Sequence, residues 1–106
     1  MKNFTEVLSE AKKMQKKMQE VQEKLKTIEA EGIAGGDTVK VVLNGEYELI
    51  KLKIDEKILK EKGEIVEDLI TAAHNDAKQK LKIKTSEEIS KITGGINLPP
   101  GFNFPF

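Results

Sequence analysis

The central stretch TVKVVLNGEYELIKLKI, residues 38–54, decides the fold. It contains two runs rich in β-branched and aromatic residues, Thr38–Leu43 and Tyr47–Ile54, with the dipeptide Asn44-Gly45 between them. Asn-Gly between two such runs is typical of the tight turn of a β-hairpin. The stretch therefore predicts an antiparallel pair of strands at the centre of the chain.

Apolar and charged residues alternate along the second of these runs. Ile50, Leu52 and Ile54 fall on one face of a strand, whereas Lys51 and Lys53 fall on the other face. We expect the apolar face to be buried and the lysine face to contact water.

The first third of the chain predicts a long helix over residues 1–30, with Asn3 as its N-cap and Glu6 as the capping-box partner. Apolar residues recur there at alternating steps of three and four, which is typical of a helix that packs on another helix. The residues of this seam are Phe4, Val7, Ala11, Met14, Met18, Val21, Leu25 and Ile28.

Glycines follow the first helix. Gly32, Gly35 and Gly36 are expected to stop it, and Glu31–Ala34 is expected to pair as a short first strand across the turn at Gly35-Gly36. The sheet, which occupies residues 31–55, then has two or three antiparallel strands.

A second long helix is predicted over residues 64–93. Its apolar stripe consists of Val66, Leu69, Ile70, Ala73, Ala77 and Leu81. Thr85 and Glu88 resemble a capping box, so a break at that point stays open, although a continuous helix is favoured. A glycine pair ends the helix and leaves a tail rich in proline and phenylalanine over residues 94–106.

Together these elements predict an α+β fold of order α-β-β-β-α in a single domain, residues 1–106. Hydrophobic residues make up 38% of the chain and charged residues 34%, which provides a small core for 106 residues. A second copy of the chain is therefore expected to add to the core.

Catalytic and metal sites are not predicted. The chain has no cysteine and one histidine, His74, whose helical position is more typical of packing than of catalysis. No apolar run is long enough to span a bilayer. We expect a soluble intracellular protein, not bound to a membrane, with no enzymatic role, no cofactor, no metal ion and no small-molecule substrate.

Lysines form two clusters on the predicted helices. All 18 basic residues are lysine, and the absence of arginine argues against reading of specific bases by bidentate contacts. A solvated helix surface is the ordinary interpretation of such clusters, and binding of phosphates is the functional one. The candidate residues are Lys12, Lys13, Lys16, Lys17, Lys78, Lys80, Lys82 and Lys84.

The packing of the helices would decide whether the two clusters meet. If both helices leave the same end of the sheet and pack antiparallel, Lys12 lies opposite Lys82 and Lys16 lies opposite Lys78. Both clusters then fall at one level, roughly 20–27 Å from the sheet. A dimer would present this surface twice.

Four stretches carry a resemblance to a known family. KKMQKKMQE at 12–20, VKVVLNGEYELIKLKID at 39–55, EDLITAAHNDA at 67–77 and LPPGFNFPF at 98–106 resemble the YbaB/EbfC family of bacterial nucleoid-associated proteins. The resemblance covers essentially the whole chain. It implies a homodimer with a small central antiparallel sheet and long helices that project from it.

The resemblance also implies a function. It implies binding of double-stranded DNA with low sequence specificity, in the cytoplasm at the nucleoid, with a role in nucleoid organisation or gene regulation. Its basic helix positions correspond to the eight lysines named above, which are therefore the candidate DNA-binding residues. The alternative hypothesis is a helical homodimeric adaptor that binds a protein partner without DNA.

The last nine residues, LPPGFNFPF, are unusually apolar for a chain terminus. We expect them to dock as a strap, with Leu98, Phe102 and Phe104 packed on the helices or across the dimer. Such a strap would add apolar core to a chain that has little.

Overall fold

The order of elements along the chain confirms the predicted α+β fold. The computed structural model describes residues 3–94, in which two long helices flank a three-stranded antiparallel sheet and a one-turn helix precedes the last helix. The elements are α1, Phe4–Thr27; β1, Glu29–Ala34; β2, Val39–Asn44; β3, Leu49–Ile54; α2, Glu56–Leu59; and α3, Gly63–Thr93.

The first helix begins at the predicted cap and ends earlier than expected. The side chain of Asn3 accepts a hydrogen bond of 2.8 Å from the backbone N–H of Glu6. α1 ends at Thr27, and Ile28 already has an extended backbone. The prediction that Gly32 stops the helix is therefore wrong, because this glycine lies inside β1.

Gly32 is required by the packing of α3 on the sheet. A Cβ atom at this position would lie 2.0 Å from the carbonyl oxygen of Ala73 and 2.2 Å from the backbone nitrogen of Ala77. Both are main-chain atoms of α3, so they cannot move aside as a flexible side chain would. The missing side chain lets the helix lie directly on β1.

The predicted hairpin between β2 and β3 is present, with a connection formed by residues 45–48. The side-chain oxygen of Asn44 accepts hydrogen bonds from the backbone N–H groups of Glu46 at 2.9 Å and Glu48 at 3.0 Å. Tyr47 has a left-handed backbone with φ of 63°. Asn44 therefore organises the whole loop rather than a two-residue turn.

Gly45 joins this loop to the end of α1. Its backbone N–H donates to the carbonyl oxygens of Leu25 at 3.0 Å and Ile28 at 2.9 Å. A Cβ atom on Gly45 would lie 2.2 Å from the carbonyl oxygen of Leu25. The glycine that the sequence assigned to a turn is thus also needed for close contact with a helix end.

The strand register assigns side chains to the two faces of the sheet. Val39 pairs with Ile54 and Val41 pairs with Leu52, and directly paired residues share a face. This inner face packs on α3 and contributes to a core of Val21, Leu25, Ile28, Ala30, Val39, Val41, Leu43, Ala73, Ala77 and Leu81. The opposite, outer face carries Glu31, Ile33, Lys40, Val42, Lys51 and Lys53.

The expected burial of β3 holds in part for Ile54, which packs against the core, and is wrong for Ile50 and Leu52 in the single chain. α3 packs on β1 and β2, and the side chains of Leu49, Ile50 and Leu52 remain 56%, 52% and 41% exposed. A bulge after Val42 also shifts the register, so that Leu43 pairs with Leu49 and not with Ile50. An apolar strip of the inner face is therefore left uncovered.

The seam of α1 is buried only near the sheet. Val21, Leu25 and Ile28 belong to the core, whereas Phe4 and Val7 are 76% and 49% exposed. The expectation that the whole seam meets another helix is therefore wrong within residues 3–94. We call the exposed part of α1, residues 4–20, the arm.

The last helix is continuous across Thr85, as the sequence favoured, and it ends at Gly94, whose backbone is left-handed with φ of 65°. The predicted strap with Leu98, Phe102 and Phe104 lies outside the described residues.

Candidate nucleic-acid interface

The offset between the two long helices determines where their lysines lie. Nζ of Lys24 in α1 lies 3.7 Å from Oε2 of Glu88 in α3. Nζ of Lys84 donates a hydrogen bond of 2.6 Å to the carbonyl oxygen of Glu29, at the start of β1. The end of α1 therefore contacts the C-terminal part of α3, while the middle of α3 lies on the sheet.

The expected alignment of the two lysine clusters is wrong. An antiparallel packing with Lys12 opposite Lys82 would place Lys24 opposite Ile70, whereas Lys24 contacts Glu88. Those two α3 positions are 18 residues apart, which corresponds to about 27 Å at about 1.5 Å per residue. The arm thus extends beyond the end of α3, and the protein measures 68 × 24 × 18 Å.

The arm lysines are Lys12, Lys13, Lys16 and Lys17, of which the first three are exposed and Lys17 is half-buried. Residues four apart are neighbours on a helix, so the four form two adjacent pairs within little more than one turn. Within the described part of the chain none of them forms an ion pair or a side-chain hydrogen bond. Their ammonium groups are therefore available to an external anion.

The second cluster is divided by the core stripe of α3. Lys78 and Lys82 follow the buried residues Ala77 and Leu81 by one position, so they project on one side of the stripe. Lys80 and Lys84 project on the other side, towards the edge of β1. The two pairs therefore face different surroundings.

Lys80 and Lys84 take part in contacts along the edge of β1 that does not face β2. Oδ2 of Asp76 accepts a hydrogen bond of 2.9 Å from the backbone N–H of Ile33, and it lies 2.9 Å from Nζ of Lys80. The hydrogen bond from Ile33, followed by that from Lys80, lowers the pKa of Asp76. Helix α3 therefore covers this edge against pairing with a further strand.

Three lysines on the outer face of the sheet lie outside both clusters. They are Lys40, Lys51 and Lys53; the alternation along the strand predicted a solvated face for the last two but no binding role. The period of two in a strand indicates that Lys51 and Lys53 share a face. Only the cross-strand register shows that Lys40 lies directly opposite Lys53.

Other kinds of site are not found among residues 3–94. No group of three or more histidine, cysteine, aspartate or glutamate side chains could hold a metal ion. His74 is partly buried in α3, and it forms no ion pair in the described part of the chain. None of the described helices is both long and apolar enough to cross a membrane.

Comparisons with known proteins identify the family of this chain. The model of the YbaB/EbfC DNA-binding family matches residues 1–96. The chain belongs to this family. A nucleoid-associated protein of Granulibacter bethesdensis is 50% identical to this chain and one of Agrobacterium fabrum is 45% identical, each over 100% of both chains.

A solved structure has a similar fold. A crystal structure of an uncharacterized protein from Helicobacter pylori matches with a TM-score of 0.75 and 26% identity, over 89% of this chain and 100% of that one. The family match and the named relatives confirm the resemblance to the YbaB/EbfC family that the sequence indicated. Because YbaB/EbfC proteins are not enzymes, the expectation of no enzymatic role is also confirmed.

Proposed function

We propose that this protein is a nucleoid-associated homodimer that binds duplex DNA through lysine–phosphate contacts with low sequence specificity. The arm lysines carry the proposal, because four ammonium groups stand on an exposed helix without a carboxylate partner among the described residues. Membership of a DNA-binding family and the names of the relatives support DNA as the ligand and the nucleoid as the location.

Low specificity follows from the chemistry of the side chains. A lysine ammonium is a point charge that neutralises a phosphate, whereas bidentate reading of guanine is typically done by arginine, which this chain lacks. Phosphate contacts position a protein on the duplex without reading its sequence. The protein is therefore expected to bind most duplexes with similar affinity.

The apolar surfaces left open in one chain support the homodimer. The inner face of β3 continues the core surface beyond the cover of α3, with Leu49 56% exposed and Leu52 41% exposed. The edge of β1 that does not face β2 is covered by α3. Among residues 3–94, the open edge of the sheet is therefore that of β3. A second copy that packs on β3 would enlarge the small core of this 106-residue chain.

A salt-titrated binding assay with random-sequence duplex tests the proposal. If 6–8 phosphates are neutralised, a plot of log affinity against log salt has a slope of about −5 to −7. Absence of binding at low salt, or an affinity that does not depend on salt, would overturn DNA binding by this mechanism. Light scattering on the protein without duplex should give twice the mass of one chain.

A charge-matched pair of variants tests the arm. Replacing the arm lysines with glutamine should reduce the steepness of the slope by about 3 to 4 for each arm engaged, about equally on all sequences. The control removes the same charge at Lys26, Lys57, Lys60 and Lys62, which also form no ion pair in the described chain. Equal losses in both variants would show that net charge acts and the arm does not.

The adaptor hypothesis remains the second candidate, because Phe4, Val7, Leu8 and Met14 leave an apolar stripe on the arm exposed. A stoichiometric protein partner that survives nuclease treatment, together with failure to bind random duplex, would favour the adaptor. Binding of duplex with the steep salt dependence above would favour the nucleoid role.

A further inference from the structure

Three lysine side chains are brought together on the outer face of the sheet. Lys40 of β2 and Lys53 of β3 are directly paired across the strands, and Lys51 pairs with Val42. Side chains of directly paired residues start about 4.5–5.5 Å apart at their Cβ atoms. Lys51 and Lys53 are separated by about 6.6 Å along the strand, so all three ammonium groups can reach one ligand.

No described carboxylate forms an ion pair with these like charges. Like charges directly opposed across two strands destabilise a sheet. None of the three lysines forms an ion pair or a side-chain hydrogen bond with any of residues 3–94. Such a pair is tolerated when the side chains extend into water, and it is stabilised when an anion lies between them.

The surroundings define the size and charge of the patch. Lys40, Lys51 and Lys53 line a shallow depression of about 120 Å³ with Val42 and Glu31. Glu31 pairs with Val42 on the side away from β3, so a strand separates it from Lys51 and Lys53.

Two further acids lie at one end of the patch. Asp37 and Asp55 line a neighbouring depression together with Thr38, Lys40 and Lys53. The carboxylate of Asp55 already accepts a hydrogen bond of 3.0 Å from the backbone N–H of Lys57, as the cap of α2. Lys51, at the far end, has no acid opposite it on β2.

We propose that the outer face of the sheet is a second contact surface for the phosphate backbone of duplex DNA, formed by Lys40, Lys51 and Lys53. This inference rests on the proposed function. The proposed surface is separate from both long helices. It lies on the outer face of the sheet, whereas α3 and the apolar strip of β3 lie on the inner face. A dimer formed through that strip leaves the outer face open.

The first test compares two triple variants with equal charge. The test variant combines Lys40→Gln, Lys51→Gln and Lys53→Gln. On random duplex, its plot of log affinity against log salt should be less steep by about 2.7 for each outer face that contacts DNA. The matched control carries Lys57→Gln, Lys60→Gln and Lys62→Gln, at and just after α2. It should change the slope by less than about 1.

A second measurement uses the unaltered chain and so does not depend on how a variant folds. The lysines are acetylated with an amine-reactive reagent in the presence and absence of duplex, and the modified positions are read by mass spectrometry. Lys40, Lys51 and Lys53 should be modified several-fold less when DNA is bound, whereas Lys57 and Lys60 should not change.

The outcomes separate this inference from the function on which it rests. Suppose that the wild-type chain binds random duplex, but that DNA does not protect the outer-face lysines and that their substitution changes the slope no more than the control does. The outer face is then not a contact surface, and the proposed function still stands. If the wild-type chain does not bind duplex at all, both are overturned. Protection together with the reduced slope supports the inference.

Discussion

Oδ2 of Asp76 lies 2.9 Å from the backbone nitrogen of Ile33, from which it accepts a hydrogen bond. The two residues are 43 positions apart in the sequence, and the contact joins the middle of α3 to the edge of β1. Nζ of Lys80 lies 2.9 Å from the same oxygen. An N–H group that could pair with a foreign strand is thereby occupied, and α3 is held in place on the sheet.

This contact predicts a pH dependence of stability. The pKa of Asp76 is lowered from its ordinary value of 3.8, chiefly by the hydrogen bond from Ile33. The charged carboxylate therefore stabilises the fold at pH values above 3.8, and that contribution is lost as the pH falls through the lowered pKa. Asp76→Asn should melt at a lower temperature than the wild type at pH 7, with a smaller difference below about pH 4.

The control for this prediction is Asp68→Asn, which removes the same charge from α3 at a position without a described hydrogen bond or ion pair. It should melt close to the wild type at both pH values. An Asp76→Asn variant that melts with the wild type at pH 7 would contradict the role given to this contact.

Gly32→Ala should destabilise the fold. The added methyl group would lie 2.0 Å from the carbonyl oxygen of Ala73, so α3 must move away from β1. Overpacking of this kind typically costs about 1–3 kcal/mol. The free energy of unfolding, measured by denaturant titration, should fall accordingly. Gly63→Ala is the matched control, since a Cβ there meets open space at the start of a helix, and it should leave stability unchanged or raised.

The uncovered strip of β3 should be needed for the homodimer. Leu52→Glu places a charge on the inner face, where the wild-type side chain is 41% exposed in a single chain. We expect light scattering to report a monomer for this variant. Lys51→Glu changes the neighbouring residue on the outer face and should leave the dimer intact. A Leu52→Glu chain that remains dimeric would place the interface elsewhere.

The two halves of the second lysine cluster should behave differently. Lys78→Gln with Lys82→Gln should weaken binding of random duplex, because these side chains have no partner among residues 3–94. Lys80→Gln with Lys84→Gln should mainly lower the melting temperature, because it removes the contacts with Asp76 and with the carbonyl oxygen of Glu29. Equal effects of the two variants on DNA affinity would contradict this division.

Deletion of residues 98–106 should lower the melting temperature. The segment contains three phenylalanines, and the arm offers an apolar stripe on which such side chains could pack. Phe102→Ser with Phe104→Ser is the milder variant, and it should lower the melting temperature in the same direction. If both variants melt with the wild type, the strap hypothesis is wrong.

The local elements were largely predictable, because they depend on neighbours in the sequence. The heptad steps indicated α1, the alternation around Asn44-Gly45 indicated β2 and β3, and Asn3 marked the start of α1. Errors arose where a residue serves a distant contact. Gly32 looked like a helix stop and Gly45 like part of a short turn, yet both also allow close approach of another element's backbone.

The sequence by itself determined the elements, their order, the family and the lysines that are candidates for binding DNA. Only the tertiary structure decided how these lysines are arranged, because the offset of α3 depends on its long-range contacts with β1 and α1, which no period along the chain encodes. Because of that offset, the arm lysines do not lie opposite Lys82. Lys80 and Lys84 instead form contacts at the edge of β1. The strand register likewise placed Lys40 directly opposite Lys53 on the neighbouring strand.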